Sequence, residues 1–135
     1  MYTLYGIWVD HAHAFVVKTN KTGDMMEITK LSSSVPPHNH GGLDGDERLS
    51  ITDQQTHMET RKNEMNKFCK AIIAQLKNPD EIVIFGPGTA KHDLKHHVED
   101  VKALAPHLTK VETTDKLSES ELKEKVRELL NLPRS

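Results

Sequence analysis

Asp10, the run Gly86-Pro87-Gly88-Thr89-Ala90-Lys91 and Asp115 are the residues of this 135-residue chain whose types and spacing suggest chemistry. A glycine-rich turn that leads a strand into a helix leaves backbone N–H groups free to meet an anion, and Lys91 would add a positive charge there. The turn lacks the G-x-x-x-x-G-K-[ST] spacing that wraps a nucleotide, so Gly86 and Gly88 read first as turn geometry, with room for a simple phosphate. Asp10 and Asp115 would bring carboxylates to the same edge, where a small hydrolase or metal-dependent enzyme would have to work. A two-metal nuclease needs several converging carboxylates. Here glycine stands where a further acid would help, and Glu59 and Glu64 suit solvent equally well.

Nine histidines raise the question of a metal: His92 and His96 lie one helical turn apart, His11 and His13 two apart, and His38 and His40 in a polar stretch. A closed zinc site wants four ligands and no cysteine pair is present, so the expectation is a histidine-rich surface with no metal and no other cofactor. Cys69 is the single cysteine and sits among apolar residues. It reads as core rather than nucleophile, and its lack of a disulfide partner fits a reducing compartment. Ser32, Ser33 and Ser34 have no nucleophile-elbow context. No complete catalytic set emerges, which points away from an enzyme.

With 18 basic and 20 acidic side chains the net charge is −2, so the chain has no overall field for polyphosphate and any nucleic-acid contact must be local. The opening MYTLYGIWVD lacks a basic n-region and a long apolar core, and no stretch approaches the roughly 20 apolar residues that cross a bilayer. The expectation is a cytoplasmic protein with no membrane partner.

The elements that must position these residues follow from periodicity. The length suits one domain. Leu4 to Val9 and His13 to Lys18 are rich in aromatic and β-branched residues and separated only by Asp10-His11-Ala12, which predicts a tight hairpin. A turn at Asn20 to Asp24 introduces a third strand from Met25 to Leu31. Residues 32 to about 53 are polar and hold Pro36, Pro37, Gly41, Gly42 and Gly45, which predicts a long exposed loop. Met58, Met65, Phe68, Cys69, Ile72, Ile73 and Leu76 recur at helical spacing up to Asn78-Pro79. Glu81 to Phe85 predicts a buried central strand. Thr89 is expected to cap a helix whose stripe is Leu94, Val98, Val101 and Ala105, ended by Pro106. Leu108 to Thr113 predicts a fifth strand. Ser118 and Glu121 form a capping box, with Leu117 and Leu122 as its hydrophobic staple, for a last helix facing inward through Leu122, Val126, Leu129 and Leu130. Right-handed crossovers then give an α/β fold with a five-stranded mixed sheet, order 3-2-1-4-5, and helices on both faces, a ribonuclease-H-like topology. Ligands of such sheets favour the carboxyl ends of the parallel strands.

The strand order, the long glycine-containing loop before the first helix, and Ile84-Phe85-Gly86-Pro87-Gly88-Thr89-Ala90-Lys91 together resemble the middle domain of archaeal and eukaryotic class I peptide-chain release factors and of Pelota, over nearly the whole chain. A free-standing copy would be similar to single-domain relatives in bacteria. In that family a G-P-G turn followed by a lysine opens the second helix, similar to Gly86, Pro87, Gly88 and Lys91. Release factors carry Gly-Gly-Gln in the loop, whose glutamine orients water against the peptidyl-tRNA ester. Here Gly41 and Gly42 are followed by Leu43, which has no amide and no acid-base group, and Gln54 and Gln55 stand too far along. The resemblance therefore implies the fold and a ribosome or tRNA setting, as for Pelota, but not peptidyl-tRNA hydrolysis. Asp44, Asp46 and Glu47 beside Gly41 and Gly42 would repel an RNA backbone.

The reading that follows is a non-enzymatic binding module, in which the loop with Gly41 and Gly42, the edge with Asp10, Gly86 and Gly88, and a helix face bearing Lys91, Lys95 and Lys102 meet RNA or a protein partner. Two other classes stay open: a small hydrolase at the edge of Asp10, Gly86 to Lys91 and Asp115, and a structural domain that pairs with another copy.

Overall fold

The structure is a computed structural model that describes residues 3–33 and 51–133, with side chains of the first helix described from Thr60 onward. Strand β1 (Leu4–Val9), β2 (His13–Thr19) and β3 (Met26–Ser32) form an antiparallel meander, followed by helix α1 (Ile51–Ile73). Strand β4 (Glu81–Gly86), helix α2 (Ala90–Glu99), a 3-10 turn (Ala105–His107), strand β5 (Leu108–Thr113) and helix α3 (Glu119–Leu130) complete the chain. The sheet order is β3-β2-β1-β4-β5, as the crossover rule requires. Strand β1 pairs antiparallel with β2, Val9 opposite Ala14, and parallel with β4, Trp8 opposite Phe85. One extra residue bulges β5 beside Ile82 and Val83.

All six residues of β1 are buried, because helices cover both faces of the sheet and its two-residue period feeds two cores. Tyr5, Ile7 and Val9 join Ile82 and Ile84 under α1 and α2, where Phe68, Cys69, Ile72, Leu94 and Val98 close the layer. Leu4, Trp8, Val17, Val83 and Phe85 point the other way, onto Leu122, Val126 and Leu129 of α3. Lys77 N donates to the Tyr5 hydroxyl at 3.1 Å, which ties the end of the α1 segment to the central strand.

The capping box of α3 is formed from both sides: Glu121 N donates to Ser118 Oγ at 3.2 Å and Ser118 N to Glu121 Oε1 at 2.9 Å. Hydrogen bonding to the Ser118 backbone first, and to its side chain second, holds the Glu121 carboxyl below its ordinary pKa. Leu117 packs on the same core as Leu122. At the other end Asn131 takes the left-handed conformation and Leu132 N returns to Arg127 O at 2.8 Å.

Several boundaries differ from expectation, among them the end of α1, which falls at Ile73, before Leu76. Helix α1 starts at Ile51, inside the stretch read as loop to about 53, and β3 reaches Ser32; residues 34–50, with Gly41, Gly42 and Leu43, lie outside the described residues. Helix α2 ends at Glu99, so Val101 and Ala105 are not part of its stripe. Pro106 disfavours helix at the residue before it. The chain unwinds through turns, Leu104 N donating to Val101 O at 2.9 Å, until it can enter β5 beside Ile82. Thr89 occupies the cap position of α2 but its side chain makes no capping hydrogen bond.

Candidate functional site

The ends of β1, β4 and β5 meet at one edge. Gly86 adopts φ +147°, and a Cβ there would stand 2.2 Å from Val9 O. Only glycine lets β4 leave the sheet this close to β1. The Gly86 carbonyl accepts from Thr114 N at 3.1 Å, and Trp8 Nε1 donates to Asp115 O at 3.2 Å, which fixes the exit of β5 to the same place. The structure thus brings Asp10, the Gly86 to Lys91 turn and Asp115 to neighbouring strand ends, as the sheet order anticipates.

The functional atoms of Asp10 and Lys91 are used by the fold. Asp10 Oδ1 accepts from Ala12 N at 2.8 Å and His13 N at 2.6 Å, so the carboxylate closes the β1–β2 turn. Ser33 Oγ donates to His11 O at 2.5 Å and Ser33 N to Ala12 O at 2.8 Å, fastening the end of β3 to that turn. His11 Nε2 stands 3.9 Å from Asp93 Oδ2 on α2, between two half-exposed side chains. Lys91 is 3 % exposed, and its ammonium donates back to Gly88 O. The side chain fills the first turn of α2 instead of facing an anion. Gly88, at φ +66°, has nothing within 4 Å of where a Cβ would stand. Asp115 is exposed, and the buried Thr114 Oγ1 has no hydrogen-bond partner among the described residues.

Lys95 is half-exposed and stands 3.9 Å from Glu99 Oε2, while Lys102 lies beyond the end of α2. Lys91, Lys95 and Lys102 therefore do not form one cationic face. His92 is exposed, His96 Nδ1 stands 4.0 Å from Glu99, and His97 Nδ1 meets Asp93 O at 2.9 Å. Among the described residues no three His, Cys, Asp or Glu side chains converge as metal ligands would. Cys69 is fully buried; burial first, and the charge of Asp93 second, push its thiol up to about 12. It is held as the poorly nucleophilic thiol.

A different surface carries the cations that sequence reasoning passed over. Between Thr60 and Ile73, α1 holds Arg61, Lys62, Lys67 and Lys70 against the single acid Glu64. Lys62, Lys67, Lys70 and, just past the helix, Lys77 are exposed. Lys67 pairs with Glu64 at 3.2 Å, whereas Lys62, Lys70 and Lys77 make no ion pair among the described residues. The signal was the complement of the apolar stripe: subtracting Met65, Phe68, Cys69, Ile72 and Leu76 leaves these lysines outward with almost no acid between them.

No family model and no curated protein matches the chain. Among solved structures it is similar to an archaeal translation termination factor, with a TM-score of 0.63 at 15 % identity. A second archaeal protein aligns with a TM-score of 0.48 at 16 % identity. In both cases the alignment covers 93 % of this chain but 33 % of the other, so the chain spans about a third of the length of these structures. No helix among the described residues is long and apolar enough to cross a membrane. At that level of identity the likeness is one of architecture: the five-stranded mixed sheet with its helices is a release-factor-like fold.

Proposed function

We propose that this chain is a non-enzymatic binding module of the translation machinery, cytoplasmic, acting alone or within a larger protein, that touches the ribosome or tRNA through RNA. The observation that carries the reading is the release-factor-like architecture over 93 % of the chain. Fold alone does not specify chemistry, so the absence of hydrolysis is argued from residues. Leu43 follows Gly41 and Gly42 where the resembling family has glutamine, and a leucine side chain cannot hold water against an ester. At the sheet edge, Asp10 and Lys91 are engaged in backbone hydrogen bonds, which speaks against the hydrolase reading.

Sedimentation of tagged protein from lysate, with and without ribonuclease, tests the proposal. Co-migration with ribosomal particles that ribonuclease abolishes supports it. Sedimentation only with free protein, or particle binding indifferent to ribonuclease, would overturn the RNA reading. Peptide release from stalled ribosomes by the wild-type chain, lost when His38 or His40 becomes alanine, would overturn the non-enzymatic one.

A further inference from the structure

We propose that the outward surface of α1, built on Lys62, Lys67 and Lys70 and extended by Lys77, docks the sugar-phosphate backbone of double-helical RNA. The inference rests on the RNA reading above and deepens it by naming the surface and the form of the nucleic acid.

Charge is the first argument. The chain is net negative, yet this helix keeps four cations and one acid between Thr60 and Ile73. Helix α3 shows the ordinary alternative: Lys123 with Glu119 at 3.5 Å, Lys125 with Glu128 at 3.5 Å and Arg127 with Glu124 at 3.3 Å neutralise its surface. The helix dipole favours a cation only within the last turn, which accounts for Lys70 and not for Lys62 or Lys67. Glu59 directly precedes this stretch, and the next acid after it, Asp80, is occupied, Oδ2 accepting from Thr3 N at 2.6 Å. Lys62 and Lys70 lie about 12 Å apart along the axis, far enough to meet two separate phosphates at once.

What the surface lacks selects the partner. A protein interface needs an apolar anchor buried at its centre. Among the described residues, the outward positions from Thr60 to Gln75 offer only Ala71 and, just past α1, Ala74 as apolar contacts, and the exposed large hydrophobic, Met25, lies on the β2–β3 turn. Single-stranded RNA is gripped by aromatic rings on which bases stack; no aromatic residue faces outward from the described part of α1. Cations, the small Ala71 and Ala74, and amides at Asn63 and Gln75 suit a backbone whose bases are already paired.

The test is binding of purified protein to a labelled RNA hairpin with a fully paired stem, followed as salt is raised. Three engaged lysines predict a log-log slope of about −3, and Lys62→Gln, Lys67→Gln or Lys70→Gln should each reduce it by about one. The triple variant should lose stem binding, while Lys123→Gln on α3, whose lysine is paired with Glu119, should match wild type. Unchanged stem binding by the triple variant, or equal binding of polyglutamate competing for the surface, would overturn the proposal, as would preference for unpaired polyuridine. The same triple variant in ribosome sedimentation separates the two ideas. If it still co-migrates in a ribonuclease-sensitive way, this surface is wrong and the RNA reading stands. If wild type fails to co-migrate yet binds the stem through these lysines, the surface stands and the ribosomal setting falls.

Discussion

The carboxyl edge of the sheet and the outer surface of α1 hold the same kinds of polar residue in opposite circumstances. At the edge Gly86 answers to the backbone of Val9, Asp10 to the amides of Ala12 and His13, and Lys91 to Gly88 O. On α1 and just past it, the exposed side chains of Lys62, Lys70 and Lys77 make no ion pair among the described residues and remain available to a partner. A polar residue near a predicted site is thus informative only once its structural duties are known, and substitution separates the two regions by what each loses.

Gly86→Ala should have the largest effect. A methyl 2.2 Å from Val9 O at φ +147° combines a backbone clash with a strained conformation. A loss of about 3 kcal/mol or more is expected in urea unfolding. Wild-type stability would erase the contrast at its strongest point. Asp10→Ala comes next, at about 2 kcal/mol, because two amides lose a charged acceptor, with Asp10→Asn retaining part of it. Ser118→Ala, which removes one half of the α3 capping box, should cost about 1 kcal/mol in the same measurement.

The inner side of α1 gives a slope with pH instead of a step. Unfolded, the Cys69 thiol ionises near 9.0; folded, its pKa is pushed up to about 12. Between those values the native state holds a proton that the unfolded chain has lost, so stability falls as pH rises across that window and is unaffected below it. Comparing wild type with Cys69→Ala in urea melts at several alkaline pH values isolates the decline, which the variant should lack. Smallest of all, Lys62→Gln and Lys70→Gln should move stability by under about 0.5 kcal/mol while weakening RNA binding. Unfolding by either would show that the α1 surface, too, serves the fold.

Much of the fold was legible in the sequence. The three opening strands, the buried run Ile82 to Phe85 and the Ser118/Glu121 box are local patterns whose periodicity or spacing specifies one conformation, and the crossover rule then orders the sheet. The end of α2 was not legible, because Val101 and Ala105 keep helical spacing while the path into β5 decides where the helix unwinds. The site was read least well. Lys91 was assigned to a binding face although it stands three and seven residues before Leu94 and Val98, on the buried stripe itself. The weight given to the Gly86-Pro87-Gly88 motif obscured that spacing, and the cations of α1 carry no motif at all.

The position of β1 has a consequence for how the chain is made. Its hairpin partner β2 follows at once, but its parallel partner β4 is synthesised only after the whole of α1. Until Glu81–Gly86 emerges, Leu4–Val9 presents an unpaired edge of apolar residues, the type of edge on which growing chains join one another. A nascent chain stopped before Glu81 should therefore be prone to aggregate, and the parallel pairing of β1 with β4, long in range and slow to form, sets when that exposure ends.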